Sequence, residues 1–239
     1  MGSLNQTTRF DLACQTVREA NHFLHHGLDD GPKHDAGAIH RVEILHPDGN
    51  HSIAAGVDAN VQVDIRGHAG YFVAGMNSRA QVTIHGNVGW SVAENIMSGS
   101  VRVKGNASQC AAASGHGGLV VIEGNASSRC GISMKGVDIV VGGSVGHVSG
   151  FMAQAGRMVI CGDTDAGLGD SLYEAVIYVG GEIGGLGADA REEPMSAEDI
   201  AAVAELLDQA QLASAPRQFK RVASARTLYH WNANAGQEY

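Results

Sequence analysis

Between Val63 and Val179 apolar and polar residues alternate in short bursts, and the bursts recur. The runs VDIRG, VTIHG, VRVKG, VVIEG, IVVGG, MVICG and IYVGG end at Gly67, Gly86, Gly105, Gly124, Gly143, Gly162 and Gly181, always nineteen residues apart. Two residues before each Gly stand Ile65, Ile84, Val103, Ile122, Val141, Ile160 and Val179; four before it stand Val63, Val82, Val101, Val120, Ile139, Met158 and Ile177. Both columns are wholly apolar and face inward. The positions between and after them are polar in the early repeats (Asp64, Thr83, Arg102; Arg66, His85, Lys104, Glu123). That is the period-two pattern of a strand with one buried face. Each terminal Gly permits a corner that a Cβ would obstruct. Asn87, Asn106 and Asn125 follow three successive Gly. They predict a ladder in which each side chain bonds its neighbour one coil along.

A nineteen-residue unit is too short for a strand–helix–strand repeat of about 30 residues or a propeller blade of about 40. It suits one coil of a solenoid. The predicted fold is all-β, a right-handed parallel β-helix of about seven coils, roughly 30 Å long at about 4.8 Å per coil. The expected organisation is an N-terminal helix and cap segment over 1–50, the β-helix over 51–190, and a C-terminal helix and docking arm over 191–239.

A solenoid has open ends, and unpaired edges invite aggregation. The flanks read as covers. Thr16 and Glu19 form a capping box, Val17, Ala20, Phe23 and Leu24 make one helical face, His25 and His26 sit in the last turn, and Gly27 is the expected C′ residue. Ser196 with Asp199 opens a second helix, with the stripe Ile200, Val203, Leu206, Leu207 and Ala210, and Pro216 bars its continuation. The last stretch, from Arg217, reads as an extended arm whose Phe219, Tyr229 and Trp231 need burial. One column turns apolar where a bare rod would be exposed: Val121, Val140, Val159 and Tyr178. Either the C-terminal helix covers it, or a partner does; Trp231 is a further candidate partner contact.

Composition narrows the function classes. Gly is abundant (33 residues), aromatics make up 5%, and the formal net charge is −9. The chain lacks the Lys/Arg cluster of a nucleic-acid binder and the run of about 18 apolar residues that a membrane span needs. The start, MGSLNQTTRFDLACQ, lacks a signal peptide's apolar core, so a cytoplasmic protein is expected. Cys14, Cys110, Cys130 and Cys161 have no zinc or iron–sulfur spacing and read as small buried hydrophobes. His68, His85, His116 and His147 fall in four different columns, which argues against stacked metal ligands. GGLGADA (184–190) has a dinucleotide-like spacing, but no helix opens there. The carboxylates Asp58, Asp64, Glu94, Glu123, Asp163, Asp170 and Glu174 do not stack into the paired cluster of a glycosidase. No catalytic, cofactor or metal residue is assigned.

The Gly-x-x-Gly elements at Gly67–Gly70, Gly86–Gly89, Gly143–Gly146 and Gly181–Gly184 resemble the GXGXG domain at the C-terminus of the glutamate synthase large subunit. GYFVAGMNSRAQVTIHG, VAENIMSGSVRVKGNASQ, GHGGLVVIEGNASSRCGISMKG and SARTLYHWNANAG are closer still to its stand-alone versions. Those are the β-helix subunits of three-part glutamate synthase-like enzymes, including GlxC-type proteins and the N-methylglutamate synthase subunit. The part of formylmethanofuran dehydrogenase that shares this fold is a more distant relative. The resemblance implies a non-catalytic assembly subunit in a hetero-oligomer. Its partners would be a glutamine amidotransferase-like subunit and an FMN-binding glutamate synthase-like subunit, with FMN and an iron–sulfur cluster on the partners and none here. The 125–136 loop, with Arg129 and Lys135, is the expected contact near the nitrogen-transfer region. A free-standing carbohydrate-acting β-helix enzyme, or a scaffold in a formylmethanofuran dehydrogenase-type redox complex, are the alternatives.

Overall fold

The computed structural model describes residues 7–28, 39–212, 215, 216 and 218–227. It is a parallel β-solenoid. Strands β1 (Thr7–Asp11), β2 (His40–Leu45), β3 (Val61–Arg66), β4 (Gln81–Ile84), β5 (Ser100–Val103), β6 (Leu119–Ile122), β7 (Lys135–Val141), β8 (Ala155–Ile160) and β9 (Val176–Val179) lie side by side in chain order. Helix α1 (Val17–His26) lies between β1 and β2. After β9 come β10 (Ala190–Glu193), α2 (Ala197–Ala210) and β11 (Lys220–Ser224).

The register follows the nineteen-residue period. Val63 pairs with Val82, Val82 with Val101, Val101 with Val120, Val120 with Ile139, Ile139 with Met158, and Met158 with Ile177. Both inward columns are buried along their length. A second ladder links the small residues that turn back inside, Ala69, Val88, Ala107, Ala126, Val145, Thr164 and Ile183. The sheet also crosses the expected boundary at residue 50, because β2 pairs in parallel with β3 and β1 with β2. These two strands carry no nineteen-residue signal: Val42 pairs with Val63 and Thr8 with Val42.

The Gly column is required by stacking. Of the seven glycines, only Gly67 has a positive φ. A Cβ on Gly86 would stand 2.6 Å from the carbonyl carbon of Gly67, and one on Gly181 2.6 Å from that of Gly162. The following column forms a ladder of a different kind from the one expected. Each side chain accepts a backbone N–H one coil along: Asn106 N–H to Asn87 Oδ1, Asn125 N–H to Asn106 Oδ1 and Ser144 N–H to Asn125 Oδ1, all at 2.8 Å. His68 Nδ1 starts the series, and Ser144 and Asp163 continue it to the N–H of Glu182. Asn is therefore one of several acceptors that fit.

Past this corner the backbone enters the left-handed region at alternate positions: Phe72, Ala74, Met76; Ser91, Ala93, Asn95; Cys110, Ala112, Ser114. That conformation costs about 1–2 kcal/mol per non-Gly residue. Here it points each N–H at a neighbouring coil, as in Ala93 N–H to Val73 O at 2.9 Å and Asn95 N–H to Ala113 O at 2.8 Å. Neither hydrophobic period nor turn chemistry announces this geometry.

The two ends are closed by different means. At the N-terminal end α1 starts with the expected Thr16–Glu19 capping box and buries Ala20 and Leu24. Asn21 Oδ1 accepts the N–H of Ala54 at 2.9 Å, where later coils use a carbonyl of the coil before. Its Nδ2 donates to Ser52 O at 2.8 Å. Gly27 is the C-cap itself, with a right-handed φ of −97; a Cβ there would run into the Phe23 ring. At the far end β11 pairs antiparallel with β9, and β10 antiparallel with β11. The arm thus docks in cis through Ser224, as a strand the sequence did not announce.

Helix α2 opens on the Ser196–Asp199 capping box and ends at Gln211, in the left-handed region, before Pro216 is reached. Its stripe Val203, Leu206 and Ala210 seals Val121, Val140, Val159 and Tyr178 into a second small core. The apolar column is therefore covered by the chain's own helix, which removes those four residues from the candidate partner contacts. Ile200, expected in the stripe, is 60% exposed.

Candidate interaction surfaces

On the outer face of the early strands the charged side chains bond along the stack. Glu43 receives Arg9 at 2.7 Å and Arg66 at 2.8 Å, one oxygen each. His85 Nε2 lies 2.7 Å from Asp64. Glu123 takes Arg102 at 2.8 Å and Lys104 at 2.7 Å. Burial pushes the Glu123 carboxyl up, but the hydrogen bonds from Lys104 and Arg102 outweigh it and hold the group below its ordinary value. Arg102 also donates to Ala210 O at 2.7 Å, satisfying a carbonyl at the C-terminus of α2. Arg157 grips Asp138 through two nitrogens and reaches Glu205 on α2. Two arginines thus tie α2 to the sheet.

The remaining carboxylates raised by the sequence are dispersed. Asp58 pairs with Arg79, Asp163 serves the corner ladder, and Asp170 bonds Ser171 and the N–H of Ala188. Among the described residues no three His, Cys, Asp or Glu side chains are placed to hold a metal ion. Of the four cysteines, Cys130 and Cys161 are buried, and burial pushes their thiols up to about 12 and about 11. Cys110 is partly exposed, and Cys14 is exposed, contrary to the expectation of burial; Cys14 falls in the turn between β1 and α1, outside the repeat.

Arg129 and Lys135 are both exposed. Arg129 occupies the same left-handed position as Ser91 and Cys110, with φ 59, so most of the 125–136 loop is an ordinary coil corner. The irregularity falls at its end. β7 begins early, and its pairing slips between Lys135, opposite Ala155, and Asp138, opposite Arg157. Trp231 lies outside the described residues.

One apolar surface was missed. Tyr71 (50% exposed), Met76 (48%), Trp90 (61%) and Met97 (49%) all project from the corner stretch of the first two full coils. Tyr71 stacks on His51 at 3.9 Å, and Phe72 N–H bonds Trp90 O, which places the two aromatic positions on adjacent coils. Later coils carry Gln109, Ser128 and His147 in that column. The signal was available: the column four after each Gly starts Tyr, Trp and then turns polar. A second hollow, ≈ 470 Å³, lies between Val203 and Leu207 of α2 and Pro216 and Phe219 of the arm.

A gap-free nineteen-residue register, capped by one helix and sealed laterally by another, makes this a parallel β-solenoid protein with an outward-facing aromatic and methionine corner. Comparison with known sequences places it more narrowly. Over 230 residues the chain is 49% identical to Protein GlxC of Rhizobium meliloti (strain 1021), covering 96% of this chain and 98% of that one. The chain belongs to the GlxC family. No protein-family model matches it, and no solved structure matches it. Among the described residues no helix is long and apolar enough to cross a membrane.

Proposed function

We propose that this chain is an assembly subunit of a glutamate synthase-like complex, holding a glutamine amidotransferase-like subunit against an FMN-binding synthase-like subunit. In this reading it contributes no catalytic group. FMN and an iron–sulfur cluster belong to the partners, and the nitrogen acceptor chemistry, including the N-methylglutamate synthase variant, lies there too. The observation that carries the assembly role is the exposed quartet Tyr71, Met76, Trp90 and Met97 on a rigid scaffold. Trp, Tyr and Met are the residues that interface centres favour, and they gather on two coils while the rest of that column is polar. The kind of complex is suggested by the resemblance of the Gly-x-x-Gly repeat, and near full-length identity to a GlxC protein supports it.

The test is gentle purification of the chain from its native host, with identification of what accompanies it and a visible spectrum. Amidotransferase-like and flavin-containing partners with a yellow-brown spectrum support the proposal. A colourless chain that travels alone at native abundance overturns it.

A further inference from the structure

The column argument against metal binding applies only to the coils, and α1 lies outside them. His22 and His26 are one helical turn apart, both exposed, with ring centroids 4.9 Å apart and planes inclined at 57°. A late transition ion sits about 2 Å from an imidazole nitrogen, hence about 3 Å from the ring centre, so two imidazoles on one ion at tetrahedral or square angles have centroids roughly 4.5–5 Å apart. The observed separation already has that value. The pair lines an open hollow of ≈ 810 Å³ floored by Phe10 and Phe23. His25, between them, is committed elsewhere: its Nε2 lies 2.8 Å from Ala55 O.

From this geometry we infer a two-histidine chelating site for a divalent late transition ion, Cu²⁺, Ni²⁺ or Zn²⁺, on the outer face of α1. The neighbours select the ion class. Arg18, one turn before His22, lines the same hollow and opposes any cation held by charge alone. Glu19, also there, is occupied by both the N–H and the hydroxyl of Thr16. A hard ion such as Mg²⁺ or Ca²⁺ needs oxygen donors and finds none free on this face of the helix. Imidazole bonding favours Cu²⁺ over Ni²⁺ and Zn²⁺, with water completing the shell. Binding would brace α1, which closes the solenoid's N-terminal end through Asn21 and His25 on its inner side.

The test uses the full chain with CuCl₂, NiCl₂ and ZnCl₂ as probes. Calorimetry is expected to show one equivalent of Ni²⁺, weakened at least tenfold by His22→Ala and by His26→Ala and unchanged by His116→Ala. With Cu²⁺, electron paramagnetic resonance is expected to show coupling to two equivalent nitrogens, reduced to one in either variant. Ni²⁺ is further expected to slow amide exchange across α1 in the wild type and not in His26→Ala. Both helix variants place Ala at exposed positions and keep the fold. Wild-type-like binding in both, or equal loss in His116→Ala, overturns the site, as does tighter binding of Mg²⁺ than of Ni²⁺.

Discussion

The Oδ1 of Asn21 accepts the buried N–H of Ala54 at 2.9 Å, so one side chain on a helix takes the place of an entire missing coil. In every later coil the equivalent N–H meets a carbonyl of the coil before, as Ala74 N–H meets Ile53 O. Ala54 is fully buried, and an orphaned buried donor costs about 1–3 kcal/mol. Asn21→Leu is therefore expected to destabilise the chain by that amount, with most of the loss local. Hydrogen exchange should show residues 52–56 opening while the β5–β8 amides keep wild-type protection. A uniform change along the rod would contradict the capping role.

The corner glycines and the ladder after them act on the same space. The side chain of Asn106 lies over Gly124 and accepts the N–H of Asn125, and the place a Gly124 Cβ would take is also 2.8 Å from Gly105 O. Gly124→Ala is expected to cost about 1–3 kcal/mol through overpacking, and Asn106→Ala about 1–2 kcal/mol through the unpaired N–H. The double variant should fall short of the sum, because removing the amide clears part of the clash while the backbone contact stays. Chemical denaturation of the four proteins measures that coupling; strict additivity would mean the two columns do not share the corner.

How much of this was legible depends on whether a residue repeats. Val63, Val82 and their successors repeat without a gap, so the coil count and register could be read directly. Thr16, Glu19, Ser196 and Asp199 were equally plain, because a capping box is local chemistry. Asn21 was not, since its partner is 33 residues away and its role arises only where periodicity stops. β11 was missed because Lys220–Ser224 pairs antiparallel to the coils and carries no nineteen-residue echo. The left-handed corners were hidden by Ala, Ser and Cys, whose smallness reads as core packing. Tyr71 and Trp90 did stand in one column, but only two coils carry them, too few to register as a pattern.

The clamp on α2 responds to acid. Burial raises the Asp199 carboxyl, yet the N–H of Ser196, the Tyr178 hydroxyl and Arg221 together lower it to about 2, from an ordinary 3.8. Its folded value is depressed, so its contribution is complete above 3.8 and is lost as pH falls through that value toward 2. The N-terminal turn of α2 is expected to loosen across this window, seen as faster amide exchange at residues 199–203. Asp199→Asn should be loose already at neutral pH and show no further change there. A wild-type helix whose exchange ignores pH across that window would remove the carboxylate from the clamp.

His46 works in the opposite direction. Its hydrogen bond to Asp11, 2.7 Å long, raises the imidazole above its ordinary 6.5 and fastens the end of β1 to that of β2. A raised folded value contributes fully below 6.5 and is lost as pH rises through the folded value. β1 amides should therefore exchange faster on going from slightly acid to slightly basic solution, beyond the intrinsic base dependence. His46→Gln should abolish only that excess.

Trp90 separates an interface role from a structural one. Its side chain is 61% exposed, so Trp90→Ser removes little that the fold uses, and the melting transition should move by no more than an ordinary surface change, about 0.5 kcal/mol. If the corner is the contact that the assembly proposal requires, the same variant should fail to co-purify with flavin-containing partners, because truncating a central aromatic anchor costs about 2–4 kcal/mol of binding. Gln109→Ser, in the same column one coil along, supplies the contrast. It alters the polar part of the column and should leave co-purification intact. Loss in both variants would make the contact broader than the aromatic corner, and loss in neither would move it to another side of the solenoid.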